Sequence, residues 1–296
     1  MKNQTRAMFM GGLVVLFWST VATAFKIALD GMSFVTLLLI ASLTALAVTF
    51  AEILRLGKIG ELISFFKKRE NLVKAALQGL LNPFLYYLVL FKAYALLPAQ
   101  IAQPLNYSWQ IVLLLMISIR FRRRLKWYQS IGIAVSFAGI AILSGNNSAS
   151  PDGALSLVGV ILALGSTFIW ATYWLSKINS KEDSTISLFT NFLFGSLYIV
   201  IPALFIPMEL PALKPFLAAV YVGCFEMGFA FILWGKALNL AKNKLTLTQI
   251  TYLSPVLSLI FIHFVLGEKI GVFTVMALIL IISGIFISNL KKQSDF

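Results

Sequence analysis

The sequence predicts an all-α integral membrane protein of ten transmembrane helices arranged as two inverted five-helix repeats. Three observations carry this expectation. First, 59% of the 296 residues are hydrophobic and 12% are charged, with a mean hydropathy of +0.90. Soluble domains run at about 45–50% apolar and about 25% charged, and one or two soluble cores could not bury this much apolar surface. Second, the apolar residues fall in runs of about 20, the length that crosses a hydrocarbon core of about 30 Å. Third, short motifs recur in the same order in each half of the chain.

The runs lie near 7–28, 33–55, 72–92, 98–119, 126–144, 155–177, 185–206, 215–237, 245–267 and 271–290, and are numbered spans 1 to 10. Their connections are too short to hold a soluble domain. The longest surrounds Glu61-Leu-Ile-Ser-Phe-Phe66, which reads as a short interfacial helix. Twenty of the 24 Lys and Arg residues fall on alternate connections and tails, beginning with Lys2 and Arg6 and ending with Lys291 and Lys292. Only Lys26, Lys92, Lys214 and Lys269 fall on the other side. Basic connections stay cytoplasmic, so both termini are expected in the cytoplasm and the protein in a bacterial inner (plasma) membrane. The net charge of +13 is then a topology signal that favours contact with anionic membrane lipid, and not a nucleic-acid footprint. The first apolar run is long enough to span, and no small-residue cleavage site follows it, so no cleavable signal is expected.

The chain divides near Asn147–Asp152, a polar Asn/Ser/Pro stretch that reads as an external turn. Residues 1–148 form the first repeat and residues 149–296 the second. Five spans per half force the second half to enter the membrane from the opposite side. Phe17-Trp-Ser-Thr20 in span 1 echoes Ile169-Trp-Ala-Thr172 in span 6. Leu105-Asn-Tyr-Ser-Trp-Gln110 in span 4 falls opposite Ile250-Thr-Tyr-Leu-Ser-Pro255 in span 9, and Ala138-Gly-Ile-Ala-Ile-Leu-Ser144 in span 5 echoes Ser283-Gly-Ile-Phe-Ile-Ser288 in span 10. Inverted five-helix repeats mark alternating-access carriers, with substrate held near the midplane at the repeat interface.

On these motifs the two halves resemble paired EamA-type domains of the drug/metabolite transporter superfamily. Ala93-Tyr-Ala-Leu-Leu-Pro-Ala99 with Leu105-Asn-Tyr-Ser-Trp109 is similar to the aromatic amino-acid exporter branch. So is Phe229-Ala-Phe-Ile-Leu-Trp-Gly-Lys-Ala237 followed by Tyr252-Leu-Ser-Pro-Val256 and Leu266-Gly-Glu268. The chain departs from that branch at Gln110, where Pro is usual, and at Glu226, a carboxylate within span 8. The resemblance implies a ten-helix basket that exports small metabolites, often amino acids, by alternating access around a midplane cavity. A monomer or weak homodimer among lipids suffices for this.

Polar side chains in hydrocarbon are costly and therefore informative. In span 4, Gln100, Gln103, Tyr107 and Gln110 share one helical face, with Asn106 at its edge and Pro104 beside it to open the backbone. That stripe either lines a pocket or joins helices by hydrogen bonds. Span 6 repeats the spacing with Thr167, Trp170, Trp174 and Lys177, Tyr173 adjoining; Trp174 and Lys177 read as an interfacial belt. Trp170 and its counterpart Trp18 either wall the pocket or pack. Span 3 contributes Gln78, Asn82 and Tyr86 on one face, Pro83 able to bend the helix. Span 9 contributes Gln249 and Tyr252 to the candidate substrate-binding set.

Glu226 is the one carboxylate placed at bilayer depth. Three readings stand: it binds a substrate ammonium group, it carries a coupling proton, or it is a neutral structural carboxyl. His263, near the outer end of span 9, reads as snorkelling or bonded to backbone. Glu268 reads as satisfying N–H groups at the start of span 10, while Lys26 and Lys92 reach outer headgroups and Lys177 and Lys236 inner ones. Asn146-Asn-Ser148 matches a glycosylation sequon.

Other classes lack their chemistry. With Cys224 and His263 the sole Cys and His, no intrachain disulfide or His/Cys metal cluster forms, and no cofactor or metal is expected. An intramembrane serine protease needs a Ser–His pair, and an aspartyl type two intramembrane Asp; Asp30, Asp152, Asp183 and Asp295 all fall in loops or tails. A prenyltransferase needs carboxylate pairs for a metal and diphosphate, and only Glu182-Asp183 is adjacent, in a short loop. No Walker motif is present. A secondary carrier remains, with the export of toxic or cationic amphiphilic compounds as the alternative to amino acids.

Overall fold

A computed structural model describes residues 2–122, 124–145, 155–178, 182–206 and 210–289. The described residues are helical and contain no strand. Among the described residues, eight helices are long and apolar enough to cross a membrane. They are Asn3–Leu29, Phe34–Arg55, Arg69–Leu96, Trp127–Ser144, Leu157–Lys177, Ser184–Ala203, Leu213–Leu240 and Thr246–Leu266, which correspond to spans 1, 2, 3, 5, 6, 7, 8 and 9. Span 10 is the shorter apolar helix Val272–Ser288. Span 4 is two helices, Ala99–Tyr107 and Trp109–Arg120, meeting at Ser108. The expected interfacial segment forms a helix of its own, Ile59–Phe66, and shortens the connection before span 3. The interhalf turn near Asn147–Asp152 and the Asn146-Asn-Ser148 sequon lie outside the described residues.

Packing relates the halves by a pseudo-twofold exchange. Span 5 packs on span 10 and span 2 on span 7; span 1 packs on spans 8 and 9 as span 6 packs on spans 3 and 4. Span 2 meets span 8 as span 7 meets span 3. These principal contacts all join one half to the other, so the repeats interleave and do not stand as separately packed units. Small residues permit the approach. Gly132 and Ser136 in span 5 face Gly284 and Ser288 in span 10, where a Cβ on Gly132 would run into Ser288 Oγ and the Gly284 carbonyl. Ser136 Oγ donates across this seam to the Ile281 carbonyl at 3.1 Å.

The helix breaks also repeat. Span 3 opens into a π-type turn at Leu80–Leu85, and span 8 does so at Val222–Gly228. Span 4 breaks at Ser108, and span 9 tightens into a 3₁₀ turn at Ile250–Tyr252. Such irregular turns recur at functional sites in helices. In membranes they are tolerated where they face protein or a cavity. Here the breaks in spans 3, 4, 8 and 9 bring aromatic and polar groups towards the middle of the fold.

Candidate functional site

A cavity of about 120 Å³ lies at the centre, lined from spans 1, 3, 4, 6, 8 and 9. Five of the six tryptophans line it: Trp18, Trp109, Trp170, Trp174 and Trp234. Trp170 is the hub. It stacks on Tyr86 with ring centroids 4.3 Å apart and on Tyr173 at 5.4 Å, and meets Phe231 edge-on at 5.8 Å. Trp109 stacks on Trp174 at 6.4 Å, while Trp18 leans on Trp234 at 5.7 Å. These separations are those of favourable aromatic pairs.

Polar groups converge on the same space. Tyr86 hydroxyl donates to Asn106 Oδ1 at 3.1 Å, and Asn106 Nδ2 donates to Ser166 Oγ at 2.9 Å. Tyr107 hydroxyl donates to the Thr251 carbonyl at 3.0 Å, tying span 4 to the 3₁₀ turn of span 9. Glu226 sits in the π-type turn of span 8. Its Oε1 accepts from the fully buried Tyr87 hydroxyl at 3.0 Å. Three buried polar atoms of cavity-lining residues have no hydrogen-bond partner: Glu226 Oε2, Gln103 Oε1 and Trp174 Nε1. A buried polar atom left unpaired carries its full desolvation cost, about 1–3 kcal/mol. Two of them, Glu226 Oε2 and Gln103 Oε1, are acceptors that a ligand carrying N–H donors would complete. Among the described residues, no Lys or Arg lines this cavity.

Of the candidate residues from sequence, Trp18, Tyr86, Gln103, Asn106, Tyr107, Gln110, Trp170 and Glu226 line this cavity. Asn82, Tyr173, Gln249 and Tyr252 do not. Asn82 is fully buried in the span 3 turn, and its backbone (φ −141°, ψ 117°) leaves the helix there. The face it would share with Tyr86 in a regular helix is therefore broken. Tyr173 stands behind Trp170 and accepts from Asn191 Nδ2 at 3.3 Å. Tyr252 accepts from Asn289 Nδ2 at 3.3 Å, because the 3₁₀ turn rotates it towards span 10. Gln249 is half-buried just before that turn. Trp109, Trp174, Trp234, Phe231, Thr248 and Tyr87 were not among the candidates.

The belt and headgroup expectations are corrected by several contacts. Trp174 and Lys177 turn into the protein: Trp174 lines the cavity, and Lys177 Nζ donates to Gln78 Oε1 at 2.6 Å and Ser187 Oγ at 2.5 Å. Lys26 Nζ donates to the Tyr94 and Leu97 carbonyls at 3.0 and 3.2 Å, so it closes the end of span 3. Lys236 pairs with Glu52 at 2.6 Å. Glu268 serves span 4, not span 10: its two oxygens accept from Ala99 N at 2.8 Å and Gln100 N at 3.1 Å. A carboxylate suits the unsatisfied donors and positive dipole end of a helix start. Gln100 thereby leaves the pocket stripe, donating to the Lys269 carbonyl and accepting from Thr274, both at 3.1 Å. His263 Nδ1 lies 2.9 Å from the Glu268 carbonyl, a backbone contact as expected.

At the end of the molecule where span 1 begins, called the basic end for its Lys and Arg content, the halves are also tied. Gln4 Oε1 accepts from Lys242 N at 2.8 Å and Asn243 N at 3.0 Å, before span 9. Lys74 pairs with Glu182 at 2.9 Å, and Lys58 with Asp183. Burial pushes the Asp183 carboxyl up, but hydrogen bonds from Lys58 and from the Ile186 and Thr185 N–H groups outweigh it and hold it below its ordinary value. Glu182 follows the same balance, burial opposed by Lys74, Lys177 and Ser187.

Comparison with known proteins agrees with this architecture. Uncharacterized transporter YvbV of Bacillus subtilis is 26% identical over 171 residues, 56% of this chain and 54% of that protein. An uncharacterized transporter of Archaeoglobus fulgidus is 25% identical over 167 residues, 55% of this chain and 57% of its own length. The chain thus spans a little over half the length of these two relatives. A second transporter of that organism, also uncharacterized, is 27% identical over 288 residues, 95% of this chain and 97% of its own. A solved crystal structure superposes with a TM-score of 0.70 over 98% of each chain at 21% identity, which carries the fold alone. Residues 5–145 and 157–290 each match the model of the EamA-like transporter family, so the chain, with one match on each half, belongs to that family.

Proposed function

We propose that the protein is a secondary carrier that moves a small amine-bearing metabolite, foremost a neutral or aromatic amino acid, out of the cell. It does so by alternating access around the aromatic cavity, without cofactor or covalent chemistry. The observation that carries this is Glu226, a carboxylate with one oxygen unpartnered beside a cage of tryptophans. An ammonium group would supply the missing donors and gain cation–π attraction from the surrounding rings. Gln103, Asn106, Tyr107 and Gln110 carry the amide and hydroxyl groups for the substrate's polar end, and the rings take its side chain. The volume of about 120 Å³ is below the about 150 Å³ of an apolar cavity that holds benzene, so the cavity in this closed form takes the substrate's amine end, and its side group enters as the surrounding rings move apart. Rocking of the interleaved halves would open the cavity to one end at a time. The excess of basic residues supports assigning the basic end to the cytoplasm of a bacterial inner membrane.

A second reading rests on the absence of Lys and Arg from the lining. A carboxylate in an aromatic cage also suits cationic amphiphiles, and export of such compounds would use the same residues. Counterflow in proteoliposomes separates the two. Unlabelled neutral amino acids should accelerate entry of a labelled one, and Glu226→Gln should abolish this while folding normally. Exchange of cations untouched by any zwitterion would replace the amino-acid reading with the cation reading. Normal exchange in Glu226→Gln would remove Glu226 from both.

A further inference from the structure

A second cavity, of about 230 Å³, lies between spans 6, 7 and 8 towards the basic end. Trp174, Phe231 and Trp234 line both cavities, so an aromatic partition one side chain thick separates them. The two spaces differ in their charged groups. The described lining of the central cavity holds a carboxylate and no basic residue, whereas this vestibule is lined by both Lys177 and Glu182, with Ser184, Ser187 and Asn239.

Lys177 is the unusual group. Its contacts are with neutral partners, the Gln78 carboxamide, Ser187 Oγ and the Tyr173 ring 5.5 Å from the ammonium. The nearby carboxylate, Glu182, is engaged by Lys74 at 2.9 Å and accepts from Ser187 Oγ at 3.1 Å. Two cations therefore share one anion around the vestibule. A half-buried ammonium without an ion-pair partner of its own is an incomplete arrangement. Lys177 carries three donors and spends two on Gln78 and Ser187. A further donor stands at the partition, where Trp174 Nε1 is buried with no partner.

The pseudo-twofold relation sharpens the point. Aligning Trp18 with Trp170 sets Lys26 opposite the Lys177 end of span 6. Lys26 spends its ammonium on two backbone carbonyls at the end of span 3 and closes that side. Lys177 makes no such bonds to span 8, and the vestibule, bordered by Leu238 and Asn239 near the end of that span, occupies the corresponding place.

We propose that the vestibule is a carboxylate-binding subsite at the basic end, with Lys177 as its anchor, Ser187 holding the Lys177 ammonium in place and Trp174 as a supporting donor. This rests on the carrier reading and deepens it: the substrate class becomes a molecule with both a carboxylate and an amine. Lys177 engages the carboxylate on entry, the partition of Trp174, Phe231 and Trp234 yields, and Glu226 engages the amine beyond it. Selection by Lys177 then discriminates amino acids from amines of the same shape before they reach the central cavity.

The test uses the full-length protein in lipid nanodiscs with benzoate, a carboxylate lacking an amine, as probe. Quenching of tryptophan fluorescence should report saturable benzoate binding in wild type. Lys177→Met should weaken it by roughly tenfold or more, the scale of one lost hydrogen bond to a charged group. Lys177→Arg should restore most of it, and Ser187→Ala should give an intermediate loss. Equal benzoate binding in wild type and Lys177→Met, or none in wild type, overturns the subsite. If benzoate binds through Lys177 while phenethylamine binds wild type and Glu226→Gln alike, the subsite stands and the amine reading of the central cavity fails. Unliganded melting temperatures of all variants identify any that are misfolded, and Lys177→Arg with Ser187→Ala decide the matter if Lys177→Met is among them.

Discussion

Glu268 seals the end opposite the basic one, and Glu268→Gln should open it measurably. The carboxylate joins the turn before span 10 to the first helix of span 4 through two bonds, from Ala99 N at 2.8 Å and Gln100 N at 3.1 Å. Pro98 precedes that helix without a side-chain cap of its own, so Glu268 supplies what the helix start lacks. Glutamine keeps one acceptor oxygen and removes the charge. The loss is one hydrogen bond to a charged group, about 1.5–3 kcal/mol, and the charge–dipole attraction, about 0.3–1 kcal/mol. Glu268 is half-buried and water replaces part of the bond, so the low end of the sum, about 2 kcal/mol, is the expected shift towards the open form. With tenfold in population for each 1.4 kcal/mol, that is roughly 30-fold. The assay places a single cysteine at Val21, a cavity-lining position, in a background with Cys224→Ser. A membrane-impermeant thiol reagent added on the Glu268 side should label the Glu268→Gln protein roughly 30-fold faster than its parent. An unchanged rate in protein with an unchanged melting temperature would refute the assignment of the seal to Glu268.

Three further outcomes follow from the packing. Gly132→Val should lower the melting temperature of the solubilised protein, since overpacking a tight seam costs about 1–3 kcal/mol and the new Cβ meets the Gly284 backbone. Trp170→Ala should cost about 3 kcal/mol, the low end for such a truncation because one face already borders a cavity. It should also weaken binding of small ligands while admitting bulkier ones, as competition assays would record. The Lys58–Asp183 tie should give an acid-sensitive stability. Asp183 is held below its ordinary value in the folded protein, so its contribution is full above the unfolded value of about 4 and lost as pH falls through the lowered folded value. Lys58→Met should flatten the dependence of melting temperature on pH in that acid window.

Much of the fold is legible in the sequence because a bilayer imposes the length of each crossing. The ten apolar runs, the interfacial helix and the matched halves all follow from hydropathy and motif order. The centre of the site is legible where a polar residue has no business in hydrocarbon, as with Glu226, Gln103 and Gln110. It is illegible where the side chain suits lipid and cavity equally. Trp109, Trp174 and Trp234 carry no sign of which way they face, and tryptophan near a helix end reads as an interfacial anchor. Helical periodicity also misleads across the breaks. The π-type turn at Leu80–Leu85 separates Asn82 from the face of Tyr86, and the 3₁₀ turn at Ile250–Tyr252 carries Tyr252 away from the cavity. Pro83 signals the first of these, but the matching turn at Val222–Gly228 holds no proline. Glu268 reaches an N–H group 169 residues away in sequence, a partner that local pattern cannot supply.

The central claim is that the aromatic cavity binds an amine through Glu226. Five of the six tryptophans line it, so intrinsic fluorescence reports occupancy directly. Titration of the full-length protein in nanodiscs with phenylalanine and phenethylamine should give a saturable change in wild type. In Glu226→Gln both ligands should bind at least tenfold more weakly. Equal affinity for both ligands in wild type and Glu226→Gln would contradict the claim and assign Glu226 to the packing of span 8.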